Sequence, residues 1–464
     1  MTTDSTNGRV ARRALIVGKG TAGRSLAADV VKRGDVVVGF LDDALGDKDV
    51  LGTLSDVNAV ISAHAVDMVY FAIPSVDAAT VRDFLATIHL SHVEIAIIPR
   101  TYGILSKESV RIEDLTDVDV LDLVGRKPVK HDLLAAREFI AGKTVLVTGA
   151  AGSIGSRIVK QLLGLNAARV VGIDFSESGI FFLGQELSEE STLTLRIGDI
   201  TSVPALSTLF DEHRPQIVFH AAAYKHVPLM QSNPVEAVNN NVGGTLNVMR
   251  QAVAHGVENV VYVSTDKAVN PVNVMGSTKR LGEMIMQALD HSATTRFNAV
   301  RFGNVIQSSG SVMQIFRDQI ANGRALTVTD EEVTRFFMTL DEASQLVIQS
   351  AFVGDAGELF VLDMGEPVRI IDLARSLVAA VDPSLEIQIT GLRPGEKLFE
   401  ELSYEPDKVA PTVNQKIFVV RDNVPFDSAA FLAEIDALLQ LTMSYGIDRP
   451  QLIERLRGFG FKIQ

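Results

Sequence analysis

The sequence predicts an α/β protein of two tandem Rossmann-like domains, each a doubly wound parallel sheet. Two glycine-rich turns predict it, Gly18-Lys19-Gly20-Thr21-Ala22-Gly23 and Thr148-Gly149-Ala150-Ala151-Gly152-Ser153-Ile154-Gly155. Each follows a short β-branched strand pattern and opens a helical one. In both, the next strand ends on an acid, Asp42 and Asp174. A chain of 464 residues is long enough for two or three domains with a sizeable core.

Composition narrows the class. With 47% hydrophobic and 22% charged residues the chain reads as globular. The absence of cysteine excludes disulfides, thiolate catalysis and cysteine-based zinc sites, and no metal is expected. A formal charge of -14 argues against a nucleic-acid partner, though local dipoles and a few cations still suit small anions. No stretch is long and apolar enough for a membrane span. The polar start, Met1 to Arg13, lacks the apolar segment of a signal peptide. We expect residues 1–10 to be a loose tail, and the protein to be cytoplasmic with no membrane partner.

The first domain is expected over 11–129. The strand Ala14–Val17, the glycine turn and a helix to Arg33 lead to a strand Val36–Leu41 ending at Asp42-Asp43. The glycines serve the turn, close phosphate approach and helix packing, and the acid follows about twenty residues on. A third strand, Met68–Ile73, ends at Pro74-Ser75. Gly18, Gly20, Gly23 and Asp42 thus form a possible second nucleotide or nucleotide-sugar site. A Rossmann-like scaffold or oligomer contact that has lost its ligand is the alternative. Nothing here pairs an acid with a base. Residues 130–142 read as a linker ending in a short helix.

The second domain is expected over 143–420. In its glycine turn, positions without side chains let backbone N–H groups and the helix dipole meet a pyrophosphate. Thr148, Gly149, Gly152, Ser153, Ile154 and Gly155 are the cradle. Asp174 is placed to accept from ribose hydroxyls, and Phe175-Ser176-Glu177 offers no cation for a 2′-phosphate, which favours NAD over NADP. After the strand Ile217–Phe219, Ala221 and Ala222 leave room for the nicotinamide half. His220, at the strand end, reads as a structurally satisfied histidine. Lys225 and His226, in the loop at the crevice rim, are better placed to touch substrate. The run Asn239-Asn240-Asn241 opens a helix, and an asparagine there is expected to tie loops together.

The chemistry gathers after the strand Val260–Val263, in Ser264-Thr265-Asp266-Lys267. A polar cluster at the carboxyl end of a parallel strand faces the ligand crevice. Asn273 is an expected N-cap for a helix from Val274 to Leu289, on which Met275 and Lys279 share a face. A partly buried carboxyl can have a raised pKa and donate, while a desolvated amine can have a lowered one and accept.

Through these residues the segment STDKAVNPVNVMGSTKR resembles the signature of nucleotide-sugar 4,6-dehydratases of bacterial polysaccharide biosynthesis. These belong to the extended short-chain dehydrogenase/reductase superfamily, whose fold adds a small substrate-binding part. The likeness continues in DLVGRKPV, in Gly198-Asp199-Ile200, in Arg301 to Val305 with Ser308 to Val312, and in Arg393-Pro394-Gly395-Glu396-Lys397. Ile306-Gln307 departs from a usual small apolar pair. Most of the superfamily has Tyr four residues before the Lys. Met275 stands there, as in the larger two-domain branch, and a thioether cannot carry a proton. Many two-domain relatives carry membrane helices ahead of the first domain; none is seen here.

The resemblance implies NAD-dependent removal of water from a UDP-sugar, most plainly UDP-N-acetylglucosamine. Hydride leaves C4, a base takes the C5 proton while an acid protonates the departing C6 hydroxyl, and the hydride returns to C6. It implies Asp266 as the acid, Lys267 as the base, Thr265 as a hydrogen-bond partner near C4 and Lys279 on the nicotinamide ribose. A water relayed through Thr265 or Asp266 would take the C4 hydroxyl proton in the absence of Tyr. Asp199 and Ile200 would meet adenine. Asn304, Arg335, Arg393 and Glu396 would serve the substrate, with Arg393 and Lys397 at its diphosphate. A homo-oligomer is expected, and residues 421–464 read as two amphipathic helices, covering or oligomeric in role. A C4 or C5 epimerase, which needs no acid at C6, and a silent NAD-binding regulator are the alternatives.

Overall fold

The computed structural model describes residues 11–464 except 44–46, 74–79, 82–83, 85–86, 89–92, 98–115, 118–132, 291–293, 307, 309, 382–383, 404–407, 422–426 and 444–448. The expected tail 1–10, Pro74-Ser75, most of the arm before residue 133, and Gln307 lie outside the described residues. The chain divides into two compact units. One holds Met1–Pro128, Val312–Glu331 and Val368–Thr390; the other holds Val129–Ser311, Glu332–Pro367 and Gly391–Gln464. Two segments expected within the second domain thus group with the first.

In the first unit, six strands lie in the order Val50–Gly52, Val36–Leu41, Arg13–Val17, Met68–Phe71, Glu94–Ile97, Thr116–Asp117. All neighbours are parallel except the last pair. Ala14 to Val17 are all buried, as a central strand covered on both faces requires. Leu26 and Val30 of the helix Thr21–Lys32 close one face against Ile16 and Phe40. The same unit contains the helices Val312–Ala321 and Ile370–Val381 and a parallel pair, Leu326–Val328 with Ile387–Ile389.

The second unit is built on a nine-stranded sheet. Its order is Val409–Pro411, Ile417–Val420, Leu359–Leu362, Arg296–Arg301, Asn259–Val263, Ile217–His220, Thr144–Thr148, Arg169–Asp174, Leu193–Ile197. The chain winds outward from Thr144–Thr148 in one direction, then returns to add Ile217–His220 on its other side. That reversal is a topological switch point, and ligands of open α/β sheets bind at the carboxyl ends of the strands there. Thr148 and His220 end those two strands.

Packing explains the segments flanking the sheet. The helix Leu133–Ile140 ends the expected linker, and its Ala136 and Ile140 are buried in the core with Ile158 and Leu162. The helices Ser428–Met443 and Arg449–Arg457 bury Phe431, Ile435, Leu438, Leu452 and Leu456 in the cluster that holds Leu281 and Ile285 of the helix Val274–Asp290. The carboxyl-terminal helices therefore cover the helix that carries Lys279. Asn239 to Asn241 fall in a π-helical stretch, Val238–Gly244, that runs into the helix Thr245–Ala254.

Candidate active site

At the switch point the glycine turn is built for close backbone approach. Gly149 has φ +69°, and a Cβ there would lie 2.7 Å from the Ala222 nitrogen. A Cβ on Gly155 would lie 2.0 Å from the Gly149 carbonyl oxygen, so only glycine lets the helix Ser153–Gly164 seat on the turn. Gly152 caps that helix in an extended conformation with no side-chain hydrogen bond, leaving Ser153 and Ile154 at an uncapped amino-terminal end. Asp174 accepts from the Ala151 N–H at 3.0 Å and the Ser176 N–H at 2.9 Å, tying the acid to the turn. Ala221 and Ala222 run beneath it, with the Ala221 N–H donating to the Thr148 carbonyl at 3.2 Å. Asp199 caps its own turn through the Thr201 N–H at 2.8 Å, beside the buried Ile200.

Behind the turn, His220 is wholly buried. Its Nδ1 lies 2.6 Å from Thr148 Oγ1 and its Nε2 2.9 Å from Thr245 Oγ1. Burial, with the charge of Lys279 adding to it, pushes its pKa down to about 3, so the ring stays neutral. Lys279 is buried too, its Nζ donating to the Val263 carbonyl at 2.5 Å and lying 4.1 Å from the Tyr262 ring centre. Desolvation brings it down to about 7 against the pull of Glu283.

Asp266 and Lys267 emerge at the end of the strand Asn259–Val263. The Asp266 N–H donates to the Phe302 carbonyl at 3.1 Å, which holds the segment against the neighbouring strand. Asp266 has no exposed surface. Its Oδ1 accepts from Thr265 Oγ1 at 2.8 Å and from Lys267 Nζ at 2.9 Å, while its Oδ2 is buried without a partner. Lys267 Nζ also donates to Asn304 Oδ1 at 3.3 Å. Close approach makes this possible. A Cβ on Gly276 would lie 2.2 Å from the Lys267 carbonyl oxygen, and one on Gly303 would lie 3.1 Å from Asp266 Oδ2.

The electrostatics correct one expectation. Burial alone would lower the Lys267 pKa, as the sequence suggested, but the charges of Asp266 and Glu400 outweigh it and raise it. Lys267 is held as an ammonium in an ion pair rather than as a ready base. Glu400 escaped the sequence reading. Its Oε1 lies 3.5 Å from Lys267 Nζ, and its side chain is 3% exposed. It stands three residues past the Arg393-to-Lys397 motif, with nothing in its own flanks to mark it.

That motif works differently from expectation. Arg335 is buried and donates to the carbonyls of Thr334, Leu398 and Lys397 at 2.7, 3.1 and 2.9 Å, and to Glu396 Oε1 at 3.1 Å. Its guanidinium, committed to the chain's own loop, is therefore not open to a substrate as expected. Glu396 also accepts from the Arg393 N–H at 3.3 Å, while the Arg393 side chain is exposed. Lys397 Nζ reaches the Val269 carbonyl at 2.8 Å, and Asn273 Nδ2 the Gly395 carbonyl at 2.8 Å. The motif thus staples one loop onto the other.

The remaining expected residues fall around this centre. Asn273 Oδ1 accepts from the Gly276 N–H at 2.7 Å, an N-cap for the helix that begins at Val274. Met275 is buried in the core. Asn241 accepts from the Tyr224 N–H at 2.8 Å and donates to the Tyr224 carbonyl and Thr278 Oγ1, both at 3.0 Å, so it ties the rim loop to that helix. Lys225 and His226 are exposed in that loop, and a Cβ on Gly310 would lie 2.5 Å from His226 Cε1.

The first unit repeats the turn without the acid–amine pair. Gly18 has φ +95°, and a Cβ on Gly23 would lie 1.9 Å from the Gly18 carbonyl oxygen. Asp42 Oδ2 accepts from the Lys19 N–H at 2.7 Å, matching what Asp174 does in the second unit. Gly20 caps the helix with no side-chain hydrogen bond. Among the described residues no cluster of His, Cys, Asp or Glu has metal-binding geometry, and no helix is long and apolar enough to cross a membrane.

A dinucleotide turn at the switch point, with a buried acid–amine pair and a buried lysine, fits a Rossmann-type enzyme, and the relatives of the chain are nucleotide-sugar dehydratases and epimerases of the short-chain dehydrogenase/reductase kind. The chain belongs to the polysaccharide biosynthesis protein family, whose model matches residues 145–422; a CoA-binding domain model matches residues 3–99. The chain is 38% identical to the capsular polysaccharide biosynthesis protein CapD of Staphylococcus aureus over 87% of this chain and 70% of that one. It is 35% identical to a UDP-glucose 4-epimerase of Rickettsia rickettsii over 67% of this chain and 94% of the other. It is 34% identical to an inverting UDP-N-acetylglucosamine 4,6-dehydratase of Campylobacter jejuni over 56% of this chain and 77% of the other. Among solved structures, Pen from Bacillus thuringiensis superposes with a TM-score of 0.57 at 33% identity, over 62% of this chain and 90% of that one.

Proposed function

We propose that the protein is an NAD-dependent 4,6-dehydratase of a UDP-sugar, with UDP-N-acetylglucosamine as its substrate. The observation that carries this reading is the 2.9 Å hydrogen bond between Lys267 and the fully buried Asp266 at the switch-point crevice. One proton moved along that bond turns the ion pair into a neutral amine and a carboxylic acid. Those are the base that C5 needs and the acid that the C6 hydroxyl needs, and Lys267, an ammonium again after the elimination, returns a solvent-exchangeable proton to C5 as the hydride reaches C6. Closing the crevice on a sugar removes water from the pair and favours its neutral form.

The glycine turn, the uncapped helix start and Asp174 fit a dinucleotide, and the missing cation after Asp174 favours NAD. When bound, NAD supplies the hydride acceptor and donor that the reaction needs. Lys279 would hold the nicotinamide ribose. Thr265, bonded to Asp266, is the hydroxyl through which a water can lose the proton taken from the C4 hydroxyl. Lys225 and His226 are offered to the sugar nucleotide from the rim, and Arg393 to its diphosphate. We place the enzyme in the cytoplasm, as a homo-oligomer, supplying a precursor for surface polysaccharide.

A C4 epimerase is the second reading, favoured by the likeness to the Rickettsia enzyme. It would leave Asp266 without a leaving group to protonate. Proton NMR of the product distinguishes them. A new C6 methyl signal from UDP-N-acetylglucosamine is expected; an inverted C4 or C5 with C6 unchanged overturns the dehydratase reading.

A further inference from the structure

Glu400 is a buried carboxylate with no place in the reaction as proposed. Its Oε1 faces the Lys267 ammonium at 3.5 Å, and its Oε2 is buried with no hydrogen-bond partner. Leaving a carboxylate oxygen unpaired in the interior is costly, so the structure must hold it there. Six hydrogen bonds do so. Arg335 gathers the backbone of Lys397 and Leu398, and Thr334 N–H adds a bond to the Leu398 carbonyl at 3.1 Å. Asn273 holds Gly395, Lys397 holds Val269, and Asn270 Nδ2 donates to Glu401 Oε2 at 3.0 Å. Each links the loop carrying Glu400 to the loop carrying Lys267 or braces it from behind.

The charged groups that face Lys267 are Asp266 on its own segment, Glu400 on the stapled loop and Arg335 behind that loop. Asn304 completes the ring with its amide oxygen. One ammonium thus lies between two carboxylates, each keeping one oxygen in reserve. The pair alone would need only Asp266.

We propose that Glu400 is a positioning residue for Lys267, fixing its ammonium opposite Asp266 and setting the pH at which the pair loses the proton it shares. The inference rests on the dehydratase reading for its catalytic meaning, but its physical content is the charge state of one lysine. Removing an opposite charge at this range moves a pKa by about one to three units. With Glu400 neutralised, Asp266 alone would oppose desolvation and the charge of Arg335, and the Lys267 pKa would fall.

The test is a titration of Lys267 in the full-length protein, in wild type, Glu400→Gln and Glu400→Asp. Lysines are reductively methylated with a 13C label, and the Lys267 signal is assigned by its loss in Lys267→Met. We expect the midpoint to fall by about one unit or more in Glu400→Gln and to be largely restored in Glu400→Asp. The basic limb of kcat/KM should move with it. An unchanged midpoint in folded Glu400→Gln overturns the proposal, whatever the enzyme's activity. A lowered midpoint in a protein that dehydrates no UDP-sugar upholds the positioning role and refutes the dehydratase reading instead.

Discussion

Glu283 and Arg301 form a two-pronged ion pair with no exposed surface. Arg301 Nε donates to Glu283 Oε1, and its other terminus to Oε2, both at 2.7 Å. Ser264 Oγ donates to the same Oε1 at 2.6 Å and Arg280 to Oε2 at 2.9 Å. The pair joins the helix that carries Lys279, the strand that ends beside Asn304, and the residue just before Thr265. It is the brace behind the site.

Breaking a buried ion pair on one side leaves an uncompensated charge. Glu283→Ala should therefore cost about 3–5 kcal/mol of stability. Thermal unfolding should show a Tm many degrees lower, while Glu283→Gln, keeping shape but not charge, should also destabilise.

The same pair predicts an acid limb. Burial alone would raise the Glu283 pKa, but Arg301, Arg280 and Ser264 overcome it and bring it from 4.5 down to about 2. A depressed folded pKa contributes stability that is complete above the unfolded value and is lost as pH falls from about 4.5 toward about 2. Neutral His220, with its pKa at about 3, loses stability in the same direction from about 6.5 downward. Denaturant midpoints measured between pH 8 and 3 should fall steadily on the acid side, and less steeply in Glu283→Gln.

Gly276→Ala should damage activity more than its size suggests. The new methyl would sit 2.2 Å from the Lys267 carbonyl oxygen, so the backbone at one of the two residues must shift. We expect at least a tenfold fall in kcat, order of magnitude, with NAD binding retained, since a small displacement of catalytic groups costs about a hundredfold. Steady-state kinetics with cofactor titration checks it.

Met275 fills core volume where most of the superfamily has Tyr. Met275→Leu conserves volume and should cost less than about 1.5 kcal/mol, leaving turnover within a fewfold of wild type. A large loss of kcat would mean that the sulfur position does more than fill space.

Asp266→Asn and Lys267→Ala each remove one end of the proton path. Each should lower kcat by about 10²–10⁴-fold. Ligand-induced shifts in Tm should show that both still bind UDP-sugar.

Much of the fold was legible because it rests on local rules. Glycine turns after apolar strands, the acids at Asp42 and Asp174, and an asparagine three residues before the Gly276 N–H mark their positions in their own flanks. The parts that escaped depend on meetings between distant segments. Glu400 reaches Lys267 only because Arg335 and Asn273 pin its loop. The resemblance assigned Arg335 to the substrate through the likeness of Thr334 to Met338 to substrate-side segments, and a local likeness carries no sign of the loop that Arg335 holds. The charge state of Lys267 was misjudged for the same reason: desolvation was foreseeable, and the second carboxylate was not. Nor did any local signal reveal that Val312–Glu331 and Val368–Thr390 group with the first unit.

In the proposed reaction the Asp266–Lys267 pair removes water from a UDP-sugar. Its most direct test is the mass of UDP-N-acetylglucosamine after incubation with the purified protein in D2O. The expected product is lighter by one water and carries solvent deuterium at C5, with neither change in Lys267→Ala. A sugar nucleotide that keeps its water, whether or not it gains deuterium, would contradict it.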